Sequence, residues 1–222
     1  MKKIILAKAP PLLIMFFFLS APLLAQDEEL LNDRIAKNSG DYVAMTKLGL
    51  IYQDKGDRKD ALRLFKKAIK IAPNYPDAHL FLGRLYFVER EYDKAVEELN
   101  SFKDKIKYLS ETNGEAKKLY INGLHYLSEI YFTLKNYEEA RKEIEEILRI
   151  SPKDLDAHYN LGVYYYTYEH LKSKAYASFN KVIEIEPTSY TAKRAKYAIE
   201  FMRANPDSRF APDFSFIDKE NR

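Results

Sequence analysis

The chain has 222 residues, of which 46% are apolar and 31% charged, enough apolar side chain for a continuous buried core. It contains no cysteine, which excludes disulfides, thiolate metal sites, a cysteine nucleophile and a lipid-modified N-terminal cysteine. The formal charge of +3 equals the contribution of Lys2, Lys3 and Lys8. The rest of the chain is neutral, which removes the main support for binding nucleic acid or another polyanion.

Residues 1–25 have the three parts of a secretory signal: Lys2 and Lys3, the apolar run Leu12–Leu19, and small residues ending at Ala25. The run is too short to cross about 30 Å of hydrocarbon. Cleavage is expected after Ala25, since Pro22 would follow a cut after Ala21; an uncleaved anchor is the other reading. Either outcome places the remainder outside the cytoplasm, periplasmic or secreted, with membrane contact only through a retained signal.

Residues 26–40 read as an incomplete starting half-repeat, because RIAKNSGDY at Arg34–Tyr42 parallels KIAPNYPDA at Lys70–Ala78. Leu30, Leu31, Ile35 and Ala36 form its apolar stripe. In the first full unit, 41–75, Met45, Leu48, Gly49 and Tyr52 define one helix and Ala61, Leu64, Phe65 and Ala68 a second. Gly56 supplies the turn, Asp60 stands where a helix begins, and Pro73 ends the unit. Leu82, Gly83, Tyr86 and Ala95 then return 34 residues after their counterparts.

The second unit, 76–120, lacks the terminal proline, and Val96, Leu99, Phe102, Ile106 and Leu109 prolong its stripe. From Ala95 to the matching Ala140 is 45 residues, 11 beyond the period. About three helical turns are thus added, which keeps the stripe on one face. The expectation is a hairpin of two lengthened helices turning at Ser110–Gly114. The third unit, 121–154, carries Leu124, Leu127, Tyr131, Tyr137, Ala140, Ile144 and Pro152, with Ser128 at the glycine position. The fourth, 155–188, carries Leu161, Gly162, Tyr165, Ala175, Phe179, Val182 and Pro187, with one residue inserted between Tyr165 and Ala175. At 189–204, Ala192, Ala195, Ala198 and Met202 share one side of a helix with a polar outer face, as a solenoid's closing helix would. The tail, 205–222, has no helical period but contains Phe210, Phe214, Phe216 and Ile217.

Leu-Gly/Ser-x-x-Tyr, Ala and Pro at these offsets resemble the tetratricopeptide repeat, a helix–turn–helix unit. The resemblance implies an all-α, right-handed α-solenoid of about four repeats, with an N-terminal half-repeat and a C-terminal capping helix. It also implies a non-enzymatic scaffold that binds a protein or peptide on its concave side, lined by the first helix of each unit. The residues placed there are Thr46, Leu50 and Gln53; Leu80, Arg84 and Phe87; His125, Glu129 and Phe132; and Tyr159, Val163 and Tyr166. This set is apolar and aromatic with isolated charges. It lacks the lysines and asparagines with which chaperone-binding members hold a terminal carboxylate, so a segment with apolar anchors fits better.

His79 and His158 occupy equivalent places after Asp-Ala, which argues for a shared packing role, and His170 falls in a turn. No metal-ligand spacing, phosphate loop or nucleophile elbow occurs, so no catalytic residue, metal or cofactor is assigned. Lys66, Lys67 and Lys70, with Glu138, Glu139, Glu143, Glu145 and Glu146, read as a solvated convex surface. Tyr164, Tyr166 and Tyr168 cannot all share the core face and read as interface residues. The leading functional reading is an envelope adaptor binding a partner's apolar or aromatic segment. A second makes the chain a self-assembling envelope component joined through the long hairpin or the aromatic tail. A third, a hydrolase with paired carboxylates, has Glu129 as its only inward carboxylate and ranks last.

Overall fold

The computed structural model describes residues 26–207. The signal at 1–25 and the tail aromatics from Phe210 onward lie outside the described residues. The described elements are all α-helices, in agreement with the expected class: α1 (26–37), α2 (Tyr42–Lys55), α3 (Arg58–Ile71), α4 (Pro76–Val88), α5 (Tyr92–Thr112), α6 (Gly114–Thr133), α7 (Tyr137–Ile150), α8 (Leu155–Thr167), α9 (Lys172–Ile185) and α10 (Tyr190–Ala204). They form two compact units that divide between Glu89 and Arg90, inside the stretch expected to be the second repeat.

In the first unit, Asp41 starts α2 by accepting the Ala44 N–H at 2.8 Å, and the Arg34 guanidinium reaches the same carboxylate at 2.8 Å. Gly56 ends α2 in the left-handed region, φ 85°, where a residue without Cβ meets no steric cost. Asp57 rather than Asp60 flanks the start of α3, and Asp60 lies in its first turn. The Phe65 ring lies against Gly49: a Cβ there would come within 2.6 Å of its Cε1. Burying such a ring contributes about 1.5–3 kcal/mol. Pro76 opens α4, and the His79 Nε2–H donates to the Pro73 carbonyl at 2.9 Å. Of the stripe expected in α1, only Leu31 and Ile35 join the core; Leu30 is 60% exposed and Ala36 is exposed.

In the second unit, α5 and α6 have 21 and 20 residues, against 13 to 15 for the other helices from α2 onward. The hairpin is therefore longer than expected and its turn tighter. Asn113 alone links the helices, its side chain accepting the Ala116 N–H at 2.9 Å. Close approach of α5 and α6 rests on Gly123, where a Cβ would meet the Phe102 ring at 2.4 Å. The same device recurs at Gly162 under Phe179, at 2.6 Å. Ser128, at the glycine position of α6, is fully buried and donates to the His125 carbonyl at 2.8 Å. His158 repeats the bond of His79, its Nε2–H donating to the Pro152 carbonyl at 2.9 Å. The equivalent histidines thus tie a first helix to the proline that closes the preceding unit.

Two expectations need correction. Glu143 is not solvated: it is buried and paired at 2.7 Å with Lys103, which reaches it from the lengthened α5. Tyr164 and Tyr166 are core residues rather than interface residues. The Tyr164 hydroxyl, between Glu138 at 2.8 Å and Glu169 at 2.9 Å, satisfies its polar end locally, and only Tyr168 is exposed. Gly56 is also one of four equivalent turn positions. Arg90, Lys135 and His170 take the left-handed conformation at the others, φ 61°, 62° and 55°, where a side chain costs about 1–2 kcal/mol.

Candidate functional site

The helical period of α6 puts His125, Glu129, Phe132 and Thr133 on one stripe, and that of α8 does the same for Asp156, Tyr159, Asn160 and Val163. With Tyr190, Thr191 and Arg194 of α10, these residues line a single open cavity of 660 Å³ in the second unit. Five of the six residues expected in a groove here, His125, Glu129, Phe132, Tyr159 and Val163, meet in it. Tyr159 only underlies it: at 2% exposed it belongs, with the sixth residue, Tyr166, to the core cluster with Ala175 and Phe179, so both are core residues rather than open groove residues.

The cavity walls are held by polar contacts. Asp154 caps α8 by accepting the Ala157 N–H at 2.9 Å, and its other oxygen lies 3.2 Å from His125 Nε2. Burial raises the Asp154 pKa, but these two hydrogen bonds to the ionised form outweigh it and the net shift is downward. The Thr191 hydroxyl donates to Asp156 at 2.8 Å, which ties α10 to the start of α8. The Arg194 guanidinium lies 4.3 Å from the centre of the Tyr159 ring and 5.8 Å from that of Tyr190. Such stacking contributes about 0.5–2 kcal/mol and holds the arginine in place.

Glu129 differs from its neighbours: its carboxylate has no hydrogen-bond or ion-pair partner among the described residues, and the residue is exposed at the cavity mouth. The cavity walls still exclude enough water to push its pKa upward, a shift that the charges of Arg194 and His125 only partly oppose.

In the first unit, Leu50, Gln53, Arg84 and Phe87 are half-buried. Thr46 and Leu80 are core residues rather than groove residues, 1% and 2% exposed. The Thr46 hydroxyl donates to the Tyr42 carbonyl at 2.8 Å within its own helix, so this small side chain has no need to reach solvent. Leu80, like Ala78, Leu82 and Leu85, is buried because most faces of α4 are covered.

Sequence reasoning missed the contribution of α10, which it treated as a closing helix only. Ala192, Ala195, Ala198 and Met202 are buried as expected. The signal for the rest was an offset of 35 residues, which carries Asp156 to Thr191, Ala157 to Ala192 and Tyr159 to Arg194. The helix thus begins like the first helix of a further unit, and its groove position carries an arginine.

Comparison with known proteins defines the class first. Residues 52–104 and 121–154 each match the tetratricopeptide repeat, so the chain carries these repeats, a fold that generally mediates protein–protein interaction. Among particular proteins, it is 28% identical over 154 residues to Superkiller protein 3 of Schizosaccharomyces pombe. That alignment covers 68% of this chain, which spans about a tenth of the length of the curated relative. Similar solved structures include a tetratricopeptide repeat protein from Parabacteroides merdae (20% identity, TM-score 0.67, covering 85% of this chain and 70% of that one). Others are Pseudomonas aeruginosa pilF (15%, 0.65, 87% and 89%) and MamA from Desulfovibrio magneticus RS-1 (17%, 0.61, 75% and 87%). At these identities the likeness shows the fold: an all-helical tetratricopeptide-repeat architecture.

Proposed function

We propose that the protein is a non-enzymatic adaptor of the cell envelope whose second unit binds a segment of a partner protein in the cavity between α6, α8 and α10. One observation carries this reading: five separately expected residues meet in one 660 Å³ cavity with aromatic walls. That volume lies in the range of ligand-binding clefts, about 300–1,000 Å³. Phe132, Val163 and Tyr190 offer apolar contact area, while Asn160, Asp156 and Thr133 at the sides supply hydrogen-bonding groups that orient a chain. The envelope assignment rests on the signal-like residues 1–25 and is tested by the N-terminal sequence of the protein recovered from the extracytoplasmic fraction. A mature N-terminus at Gln26 is the expected result.

Selection from a displayed random-peptide library against the immobilised chain tests the site. Peptides selected on the parent are expected to lose at least about tenfold in affinity with Val163→Glu and with Asn160→Lys, at unchanged helix content. Selected peptides indifferent to both variants would overturn the assignment.

A second reading, self-assembly, is favoured by Tyr108 and Leu109 near the end of α5, which are 80% and 47% exposed. Sedimentation separates the two. Self-assembly predicts an oligomer that dissociates on replacing both residues with serine, whereas the adaptor reading predicts a monomer in both forms.

A further inference from the structure

Resting on the reading of this cavity as a peptide site, the chemistry of its lining points to the kind of side chain it takes. The lining holds two carboxylates, Glu129 and Asp156, and one guanidinium, Arg194. Their states differ. Arg194 is already spread over the rings of Tyr159 and Tyr190, and Asp156 already accepts the Thr191 hydroxyl. Asp154, behind His125, is engaged by both that ring and the Ala157 N–H. Glu129 alone stands at the mouth with neither a hydrogen bond nor an ion pair among the described residues. Beside it, one turn along α6, is Phe132, and across the cavity stand Tyr159 and Val163.

A carboxylate without a partner, set against aromatic and aliphatic walls, is complementary to a long side chain with an apolar stem and a cationic head. We infer that the cavity receives a lysine or arginine of the partner segment, its head paired with Glu129 and its stem laid along Phe132 and Val163. Aromatic residues next to that base would meet the rest of the wall. An acidic anchor is disfavoured because Glu129 would repel it. The upward shift of the Glu129 pKa fits this pairing, since the same walls that disfavour its charge by burial would favour a cation set beside it.

The test uses the full chain and peptides from the displayed library, followed by synthetic copies in which each lysine or arginine is replaced in turn by norleucine or glutamate. The expected result is a pool in which one basic residue beside an aromatic is indispensable. Replacing it with norleucine should cost about tenfold in affinity on the parent and little on Glu129→Gln, the signature of a lost charge-assisted pair. If cavity-dependent peptides, those sensitive to Val163→Glu, need no basic residue or bind Glu129→Gln as tightly as the parent, the inference is wrong while the peptide site stands. If an acidic residue proves indispensable and Arg194→Gln abolishes its effect, the polarity assigned here is reversed and the inference falls. If no selected peptide is sensitive to Val163→Glu, or none is selected, both the inference and the peptide-site reading fall.

Discussion

The helix pairs α2–α3 and α8–α9 are built on the same core and present different faces. In both, a phenylalanine of the second helix covers a glycine of the first, Phe65 on Gly49 and Phe179 on Gly162. In both, an aspartate caps the first helix and accepts a second bond from an earlier helix: Asp41 from Arg34 of α1, Asp154 from His125 of α6. The difference lies at the groove positions. Thr46 turns its hydroxyl onto its own backbone, whereas its counterpart Tyr159 carries a ring under Arg194 and walls a cavity. Residues that make the repeat fold are thus separable from those that give one repeat a site.

The sharpest way to break this comparison is to remove the shared lock. Phe65→Ala and Phe179→Ala should each cost about 3–5 kcal/mol in urea unfolding, since both rings are almost fully buried. A much smaller loss at either would mean that the two cores are not alike. Next come the glycines themselves. Gly49→Ala and Gly162→Ala should each cost about 1–3 kcal/mol, because the added methyl displaces a packed ring.

The turns sharpen the comparison in the opposite direction. Gly56→Arg should destabilise by about 1–2 kcal/mol, while Lys135→Gly and His170→Gly relieve left-handed strain and gain up to about 1 kcal/mol. Hydrogen exchange of the flanking helix ends, together with the unfolding midpoint, checks both signs.

The paired caps come next. Asp41→Ala and Asp154→Ala should each lose about 1 kcal/mol at neutral pH. Both aspartates have pKa values lowered below 3.8, Asp41 mainly by the Ala44 N–H and Asp154 by His125 and Ala157 against the opposing effect of burial. Their contribution is therefore present above that pH and lost as pH falls through the lowered folded values. Parent and variants should converge in stability in that acid window.

The smallest effect concerns Glu129. Its folded pKa is raised, so ionisation disfavours the folded state as pH climbs from the ordinary 4.5 through the raised value. Glu129→Gln should abolish this slope and be slightly more stable than the parent at neutral pH, although it weakens peptide binding. Arg194 and His125 face the same carboxylate, so Arg194→Gln should steepen the slope.

Much of the architecture was legible because the 34-residue period repeats small and large apolar residues at fixed offsets, and such positions have one physical role. His79 and His158 could be paired on spacing alone. Groove positions are harder to read because whether they open to solvent depends on their size and on the next helix. Thr46 and Leu80 are covered although their helical positions face the groove. Tyr159 and Tyr166 belong to the same helical stripe as Val163, yet the core around Ala175 and Phe179 takes both rings in. Arg194 was hidden by its setting among Lys193 and Lys196, where it reads as one more surface charge. Gly123 was overlooked for a different reason: the period matches it to Ala44, Ala78 and Ala157, an ordinary small-residue position, and its contact with the Phe102 ring belongs to the lengthened hairpin.

Methyl NMR of the full chain, titrated with a peptide from the displayed library, tests the central claim most directly, because Val163 and Leu50 hold equivalent positions in the two repeats compared here. The account predicts that the Val163 methyl signals move in proportion to saturation while those of Leu50 stay fixed. Movement of Leu50, or of Leu109 on the hairpin, with Val163 unchanged would contradict it.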